Sequence, residues 1–495
     1  MPDNKKQILA IDFGGSSGRA MLGSFDGNEI KFEEIHRFEN NPVIIGKTLY
    51  WDILRLFFEV KQSLLKAKKY GKIDSISIDT WGVDFGMLDE SGRLLDNPVH
   101  YRDGRTKGIM KKAFEKILPE SLYQLTGNQI MEINTAFQLL SVKEKQPELF
   151  SRINKIVMMP DLFNYLLTGN IKAESSIAST TQLFDAKQKC WCHEAIEKLG
   201  FPDKIFPDIV KTGTVIGELS DDVCEELSVS KSKVIAVAGH DTQSAMVAVP
   251  TNDKDFIFIS CGTWSLVGTE LDEPIINESS AELAITNENG FGNKTSFLKN
   301  IIGLWLIQES RRQWIREGKT YGFGELEKMA QETIPFKCFI DPDDEMFVTP
   351  GNIPERIRNY CRNTNQEIPE TIGEIVRCID ESLAIKYCFA IDEIKQCTGK
   401  NYESIYIVGG GSQSELLCQM TASACNTKVF AGPTEATVLG NMAVALMTAG
   451  DIENISEARK IIKNSQKIKQ FQNKDFDLWA YAIKKYKVIV KTKQL

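Results

Sequence analysis

The sequence predicts an α/β protein of two lobes, with mixed sheets flanked by helices. Three observations carry this. Short runs of branched apolar residues alternate with stretches of helical apolar spacing. The chain opens on hairpin signals, so its first sheet is not purely parallel. A strand, glycine turn, hydroxyl, strand pattern at residues 11–17 (I-D-F-G-G-S-S) returns at 259–265 (I-S-C-G-T-W-S), aligning Gly14 with Gly262 and Ser17 with Ser265. A duplicated lobe would set two such turns across one cleft.

Each element has its own signal. Residues 8–11 form a compact apolar run that ends at Asp12 and a glycine turn. Residues 19–25 make a second run, Asp26-Gly27-Asn28 a tight turn, and residues 29–36 a third strand. Residues 51–70 carry helical apolar spacing (Ile53, Leu54, Phe57, Phe58, Val60, Leu64, Leu65), with Gly71 as the stop. Residues 73–78 read as a strand, and 103–200 as mostly helical. Strand character reopens at 213–217 and 233–238. Pro250-Thr251-Asn252-Asp253 is a loop, and 256–260 a strand. The expected division is a first lobe at 1–250, a second at 251–450, and a helical tail at 451–495 packing on the lobes.

Composition excludes several classes. A chain of 495 residues, 42% apolar and 25% charged, is long enough to bury a large core without staples. It carries 59 basic and 67 acidic residues, a net charge of −8, which argues against binding nucleic acid through its phosphates. The polar start at 1–7 leads straight into a short strand, so no secretory signal is expected, and no apolar run approaches the ~18 residues of a membrane span. A cytoplasmic protein without membrane contact is expected. Eleven cysteines are too few for a disulfide scaffold. Cys190, Cys192 and His193 lack a second ligand pair, so buried reduced thiols are the better reading.

Five motifs could carry chemistry. In Asp12-Phe13-Gly14-Gly15-Ser16-Ser17-Gly18-Arg19, glycines permit positive φ and close approach of backbone N–H groups to a phosphate. Ser16 and Ser17 add hydroxyls, Arg19 adds charge, and Asp12 could hold a Mg²⁺-bound water. A plain glycine hairpin fits equally. In Gly239-His240-Asp241-Thr242, a strand-end carboxylate suits a general base, while Asp241 also stands where a helix N-cap would. His240 alone reads as structural. Asp79-Thr80-Trp81-Gly82-Val83-Asp84 mixes carboxylates, hydroxyl and aromatic faces as sugar sites do; a buried Trp at a strand corner is the alternative. The three glycines 409–411 suit close approach to a ring or an α-phosphate, or a turn into a helix capped by Ser412. In the fifth motif, Glu435 complements a helix dipole, and Gly440, Ala443 and Ala445 suit close helix packing.

Taken in this order, the motifs resemble the carbohydrate kinases of the FGGY family, within the actin-like ATPase superfamily. The resemblance rests on D-F-G-G-S-S-G-R, I-D-T-W-G-V-D-F, G-H-D-T-Q-S-A, C-G-T-W-S-L and I-V-G-G-G-S, and runs from about Ile8 to Leu446. It implies a ribonuclease H-like fold with the active site in the interlobe cleft. It implies transfer of the γ-phosphoryl of ATP, with Mg²⁺, to the C1 hydroxyl of a ketose. I-D-T-W-G-V-D-F is the most specific stretch and points to L-rhamnulose; the alternatives are fuculose, xylulose, or a non-catalytic sugar sensor. By position, Asp241 is the expected base. Gly82, His240, Thr242 and Asn300 are expected at the sugar. Gly15, Ser16, Ser17, Gly18, Arg19, Thr263, Gln308 and Gly410 are expected at the nucleotide, and Asp12 at the metal. A monomer or small homo-oligomer is expected, with sugar and ATP as its partners.

Overall fold

The computed structural model describes residues 6–494, so the polar start at 1–5 lies outside the described residues. The chain forms two compact units. The first comprises residues up to Asn252, Leu271–Phe297 and Ala436–Ser465. The second comprises Asp253–Glu270, Leu298–Glu435 and the residues from Gln466 on. The first crossing lies near the expected residue 250. Two later segments depart from the contiguous division, and the expected tail at 451–495 is split between the units.

The first unit is built on a six-stranded mixed sheet in the order Thr214–Glu218, Lys233–Ala236, Ser75–Thr80, Lys6–Phe13, Ser17–Phe25, Ile30–Glu39. The first three strands in sequence form the expected meander: Lys6–Phe13 pairs antiparallel with Ser17–Phe25, which pairs antiparallel with Ile30–Glu39. Lys6–Phe13 then pairs in parallel with Ser75–Thr80, which pairs in parallel with Lys233–Ala236. The parallel strands are buried on both faces, which is why they read as short continuous apolar runs.

The helix predicted at 51–70 is Ile53–Ala67, followed by a 3-10 turn at Lys68–Tyr70 and Gly71 at φ 116°. Asp52 caps it by accepting the Arg55 N–H at 3.2 Å. Its buried stripe is Ile53, Leu56, Val60, Ser63, Leu64 and Ala67, while Leu54 and Phe58 face solvent at 69% and 55% exposure. Apolar spacing therefore located the helix but overstated its buried face.

The second unit repeats the same strand order. Six strands of a seven-stranded sheet run Thr295–Ile302, Trp264–Leu271, Ile257–Cys261, Ser404–Val408, Lys428–Ala431, Lys469–Phe471, and the seventh, Thr286–Asn289, flanks Thr295–Ile302. Ile257–Cys261 pairs antiparallel with Trp264–Leu271 and in parallel with Ser404–Val408, as Lys6–Phe13 does with its own neighbours. The echo between residues 11–17 and 259–265 thus corresponds to equivalent hairpins. Lys469–Phe471 lies antiparallel on Lys428–Ala431, as Thr214–Glu218 does on Lys233–Ala236 in the first unit. The long helix Ile372–Thr398 opens with a Thr371/Glu374 capping box and ends at Gly399.

The helix Ala436–Ala449 explains the departure from contiguous lobes. A Cβ on Gly440 would stand 1.8 Å from the backbone oxygen of Ser244, so this helix lies backbone to backbone on Asp241–Val247. Gly23 makes a similar allowance for Met442, whose sulfur would lie 2.5 Å from an added Cβ. The small-residue stretch is helix packing, as expected from its composition. The segment Leu271–Phe297 joins the first unit through Asn287, whose N–H donates to the Gly127 carbonyl at 2.9 Å, and Asn289, whose N–H donates to the Ser179 hydroxyl at 2.9 Å.

A buried corner holds the loop after Ser75–Thr80. The Asp84 carboxylate, fully buried, accepts from the indole N–H groups of Trp51 at 2.7 Å and Trp81 at 3.0 Å, the Tyr101 N–H at 3.2 Å and the Gln138 amide at 2.9 Å. Burial pushes Asp84 up to about 6 against the pull of these donors. The rings of Trp51 and Trp81 meet tilted with centroids 4.0 Å apart, and Trp51 and His100 stack at 4.2 Å.

Two substitutions test this packing. Asp84→Ala strands four buried donors, each worth about 1–3 kcal/mol when unpaired, so a loss above about 3 kcal/mol is expected in chemical denaturation. Gly440→Ala forces a Cβ into a carbonyl and is expected to cost about 3 kcal/mol, seen as a lowered thermal midpoint. Wild-type midpoints in either variant would contradict the packing described.

Candidate active site

Three neighbouring parallel strands of the first unit end at carboxylates. Asp12 and Asp79 occupy paired register positions on Lys6–Phe13 and Ser75–Thr80. The chain after Lys233–Ala236 reaches Asp241 alongside, because Thr80 bridges His240 and the Thr80 N–H donates to the Gly239 carbonyl at 2.9 Å. Ligands of open α/β sheets bind outside such carboxyl ends. Sheet topology, not sequence proximity, brings these residues together.

The three carboxyls differ in environment. Asp79 is fully buried; its Oδ2 accepts from the Asn441 amide at 2.6 Å, and its Oδ1 has no hydrogen-bond partner. Burial, then the charge of Asp12, holds Asp79 well above the usual carboxylate range, with the Asn441 hydrogen bond opposing. Asp12 keeps 10% of its side chain exposed, and Arg19 donates Nε at 3.0 Å and Nη2 at 2.9 Å to its Oδ2. Asp241 keeps 34% of its side chain accessible. Its desolvating surroundings raise it, His240 opposes at 3.5 Å, and Asp12 adds a further rise.

His240 is the N-cap residue of Asp241–Val247, and Asp241 is the first helical residue. The expected cap role for Asp241 is therefore corrected: it makes no capping bond, and its carboxylate stays available. His240 is buried against Glu288, with Nδ1 and Oε2 2.8 Å apart. Burial alone would lower His240, but Glu288, with Asp241 and Glu174 beyond it, carries it up to about 9. An imidazolium therefore sits beside Asp241 at neutral pH. Gln243 donates to the same Glu288 oxygen at 2.9 Å and accepts the Ser296 hydroxyl at 2.7 Å. Thr242 is buried, and its hydroxyl donates to Asp241 at 3.2 Å.

Glu174 anchors the turn that presents His240 and Asp241. Its carboxylate accepts the Gly239 N–H at 3.0 Å, the Ser176 N–H at 3.0 Å and the Ile177 N–H at 3.1 Å, and bonds the Thr212 hydroxyl. Glu174, Glu288 and Asn441 escaped the sequence reading as functional residues. Each lies far along the chain from the motif it supports, so no local pattern marks it.

The turn at 14–18 uses its glycines differently from the expectation. None of Gly14, Gly15 or Gly18 has a positive φ. Gly18 is required by space, since an added Cβ would lie 2.2 Å from the Phe38 ring, whereas Gly15 has nothing within 4 Å. The Gly14 N–H donates to the Ser17 carbonyl at 3.0 Å, and Asn40 clasps the turn through the carbonyls of Gly14 at 2.8 Å and Ser16 at 3.2 Å. Ser16 and Ser17 are half-buried at the turn. Arg19 is drawn onto Asp12 rather than standing open over the turn.

Gly82 lies in a strained corner. Val83 holds φ 66°, costly for a β-branched residue, and is clasped by the Thr180 hydroxyl, which accepts its N–H at 3.1 Å, and the Thr135 hydroxyl, which donates to its carbonyl at 2.6 Å. Trp81 and Asp84 turn inward, so the buried-corner reading holds for them. Gly82 remains half-buried beside Thr180.

The remaining candidates belong to the second unit. Thr263 follows Ile257–Cys261, and its hydroxyl donates to Gln308 Oε1 at 3.2 Å. The Trp305 N–H donates to the Thr263 carbonyl at 3.1 Å, tying the turn to the start of the helix Trp305–Arg316. Asn300 lies half-buried on Thr295–Ile302. Of the three glycines, Gly409 needs its φ of 80°, and Gly411 leaves room for the Cys261 sulfur, 2.1 Å from an added Cβ. Gly410 is exposed with nothing within 4 Å. The helix after them is capped by Ser414, not Ser412, through the Leu417 N–H at 3.2 Å. Ser412 instead closes a 3-10 turn at Gly410–Gln413.

The donor set fits a hydrated divalent cation. Asp12 and Asp79 stand in register, both Arg19 contacts fall on one oxygen of Asp12, and Asp79 Oδ1 is an orphaned buried acceptor. Mg²⁺ favours such a carboxylate edge, keeping waters and substrate phosphates in its shell.

Comparison with known proteins agrees with this architecture. Residues 7–248 match the N-terminal domain of the FGGY family of carbohydrate kinases, and residues 257–449 match its C-terminal domain. The rhamnulokinase of Bacteroides thetaiotaomicron is 39% identical over 98% of this chain and all of its own length. That of Oceanobacillus iheyensis is 40% identical over 96% of this chain and 98% of its own. Among solved structures, a xylulose kinase from Lactobacillus acidophilus superposes with a TM-score of 0.80 at 18% identity, covering 98% of both chains. A glycerol kinase from Plasmodium falciparum reaches 0.78 at 15% identity, covering 99% of both. No helix among the described residues is long and apolar enough to cross a membrane. With both halves of the chain matched and equivalent strand orders in its two units, the protein belongs to the FGGY family of carbohydrate kinases.

Proposed function

We propose that this chain is an L-rhamnulokinase, acting in the cytoplasm, that transfers the γ-phosphoryl group of ATP to the C1 hydroxyl of L-rhamnulose. The products are L-rhamnulose 1-phosphate and ADP. The observation that carries this reading is the near-full-length identity to proteins named rhamnulokinase, 39% over 98% of the chain in one case. The accessible Asp241 carboxylate supports it from the chemistry: among the three strand-end carboxyls it is the most exposed, at 34% against 10% for Asp12.

A neutral primary hydroxyl is a weak nucleophile. Asp241 accepts its proton as the C1 oxygen bonds to Pγ and the bond from Pγ to the β-phosphate oxygen breaks. The His240 imidazolium favours the ionised form of Asp241 and, with Thr242 and Gly82, holds the sugar; Asn300 is a further sugar contact. Backbone N–H groups at Gly15, Ser16, Ser17 and Gly18, with Thr263, receive the phosphates. Arg19 orients Asp12, Gln308 orients Thr263, and the open Gly410 receives the adenosine. Asp12, backed by Asp79, would hold Mg²⁺, which supplies neutralisation of phosphate charge when bound.

The direct test is ADP release with Mg²⁺-ATP against L-rhamnulose, L-fuculose, D-ribulose, L- and D-xylulose and glycerol. Preference for L-rhamnulose is expected, and preference for another ketose would refute the substrate assignment. Asp241→Asn is expected to lower turnover at least about 100-fold with folding and ATP binding retained. Near-wild-type turnover in that variant would remove Asp241 as the base.

The His240–Glu288 pair predicts a pH dependence. His240 stands at about 9 in the folded protein, against the ordinary imidazole value of 6.5 that it returns to on unfolding. A base raised on folding stabilises fully below the unfolded value and loses that contribution as pH rises through the folded one. About 3 kcal/mol is therefore expected to fade between pH 6.5 and about 9, read from denaturant midpoints. Glu288→Gln should flatten that slope; an unchanged slope would contradict the pairing.

A further inference from the structure

In the second unit, three separate segments each bring one thiol to a single point. Cys338 lies in the loop beyond the helix Phe323–Gln331, Cys361 on the helix Ile353–Asn363, and Cys378 on the helix Ile372–Thr398. Their sulfurs lie within 4.8 Å of one another, and all three residues are buried. A single buried cysteine packs as a small hydrophobe. Three sulfurs converging from three segments are a ligand set. A pyramidal three-sulfur centre with bonds of about 2.3 Å holds the sulfurs about 3.5 Å apart, a spacing this cluster reaches with small shifts.

Charge selects among soft ions. No histidine, carboxylate or further cysteine joins the three sulfurs as a ligand among the described residues. The nearby cations are already engaged. Lys337 pairs with Glu374 at 2.6 Å, and Lys485 donates to the carbonyls of Phe336 at 3.1 Å and Lys337 at 3.2 Å. Three thiolates on a monovalent ion leave two negative charges in the core, and on a divalent ion one. On a trivalent centre they leave none, and a buried uncompensated charge is expensive.

We propose that Cys338, Cys361 and Cys378 form a binding site for a trivalent thiophilic metalloid of the arsenite class. The step is a condensation. Three As–O bonds of As(OH)₃ break, three As–S bonds form, and each thiol proton leaves with a hydroxide as water. No electrons are transferred, and the product is neutral. A surface groove of about 530 Å³ adjoins the same segments, lined by Lys337, Thr364, Gln366, Tyr481 and Lys485 among others. The Gln366 N–H donates to the Cys361 carbonyl at 2.9 Å, so the groove wall and the thiol site share backbone.

The full-length reduced protein supplies the test, with arsenite as the probe. One arsenic per chain is expected after gel filtration, and X-ray absorption should find three sulfur neighbours and no oxygen. The free thiols of Cys388 and Cys425 also share a hydrogen bond, but that pair would give two sulfurs and one oxygen. Cys361→Ala should weaken arsenite binding at least about tenfold while Cys388→Ala leaves it unchanged. The absorption measurement needs no variant, so a misfolded Cys361→Ala protein leaves the proposal decidable. Absent binding, a two-sulfur shell, or three-sulfur binding of Zn²⁺ in place of arsenite would overturn it.

Discussion

Three carboxyls at the ends of adjacent strands repel one another, and the first unit is organised around containing that repulsion. Parallel pairing fixes Asp12, Asp79 and Asp241 as neighbours. Each is managed by a different partner. Arg19 covers Asp12, Asn441 bonds Asp79, and the His240–Glu288 pair sits beside Asp241. Removing solvent from like charges separates their proton affinities, which is how one site can hold a protonated carboxyl beside an ionised base.

These partners come from distant parts of the chain. Asn441 belongs to a helix that can approach only because Gly440 has no side chain, and Glu288 belongs to a segment tied down by Asn287 and Asn289. Backbone packing and electrostatics are therefore one problem here. The close helix contact exists to the same tolerance as the hydrogen bond it delivers. Glu174 adds a third such link, since its carboxylate holds both a short helix and the Gly239 turn.

Much of this was legible in the sequence. The opening meander and the strand–glycine–hydroxyl repeat marked the sheet order that both units share, because hairpins and parallel strands leave local signatures. The motif residues Asp12, Asp79 and Asp241 stood at strand ends in plain view. What local pattern cannot carry is direction. Asp84 resembled a sugar ligand, yet its carboxylate faces two indoles. Gly14 and Gly18 resembled positions needing positive φ, yet Gly18 serves the Phe38 ring. Glu174, Glu288 and the Cys338–Cys361–Cys378 cluster were invisible because their partners lie far away in sequence. By spatial contact, residues 271–297 and 436–465 group with the first unit, while the two family-domain matches follow the contiguous division.

The proposed reaction is phosphoryl transfer from ATP to one hydroxyl of one ketose, with Asp241 receiving the proton. The most direct measurement is phosphorus–proton correlation spectroscopy on the product formed from L-rhamnulose and ATP. The expected product is a phosphate ester coupled to the C1 methylene protons, matched mole for mole by ADP. Inorganic phosphate as the sole product, or an ester on another carbon, would contradict it.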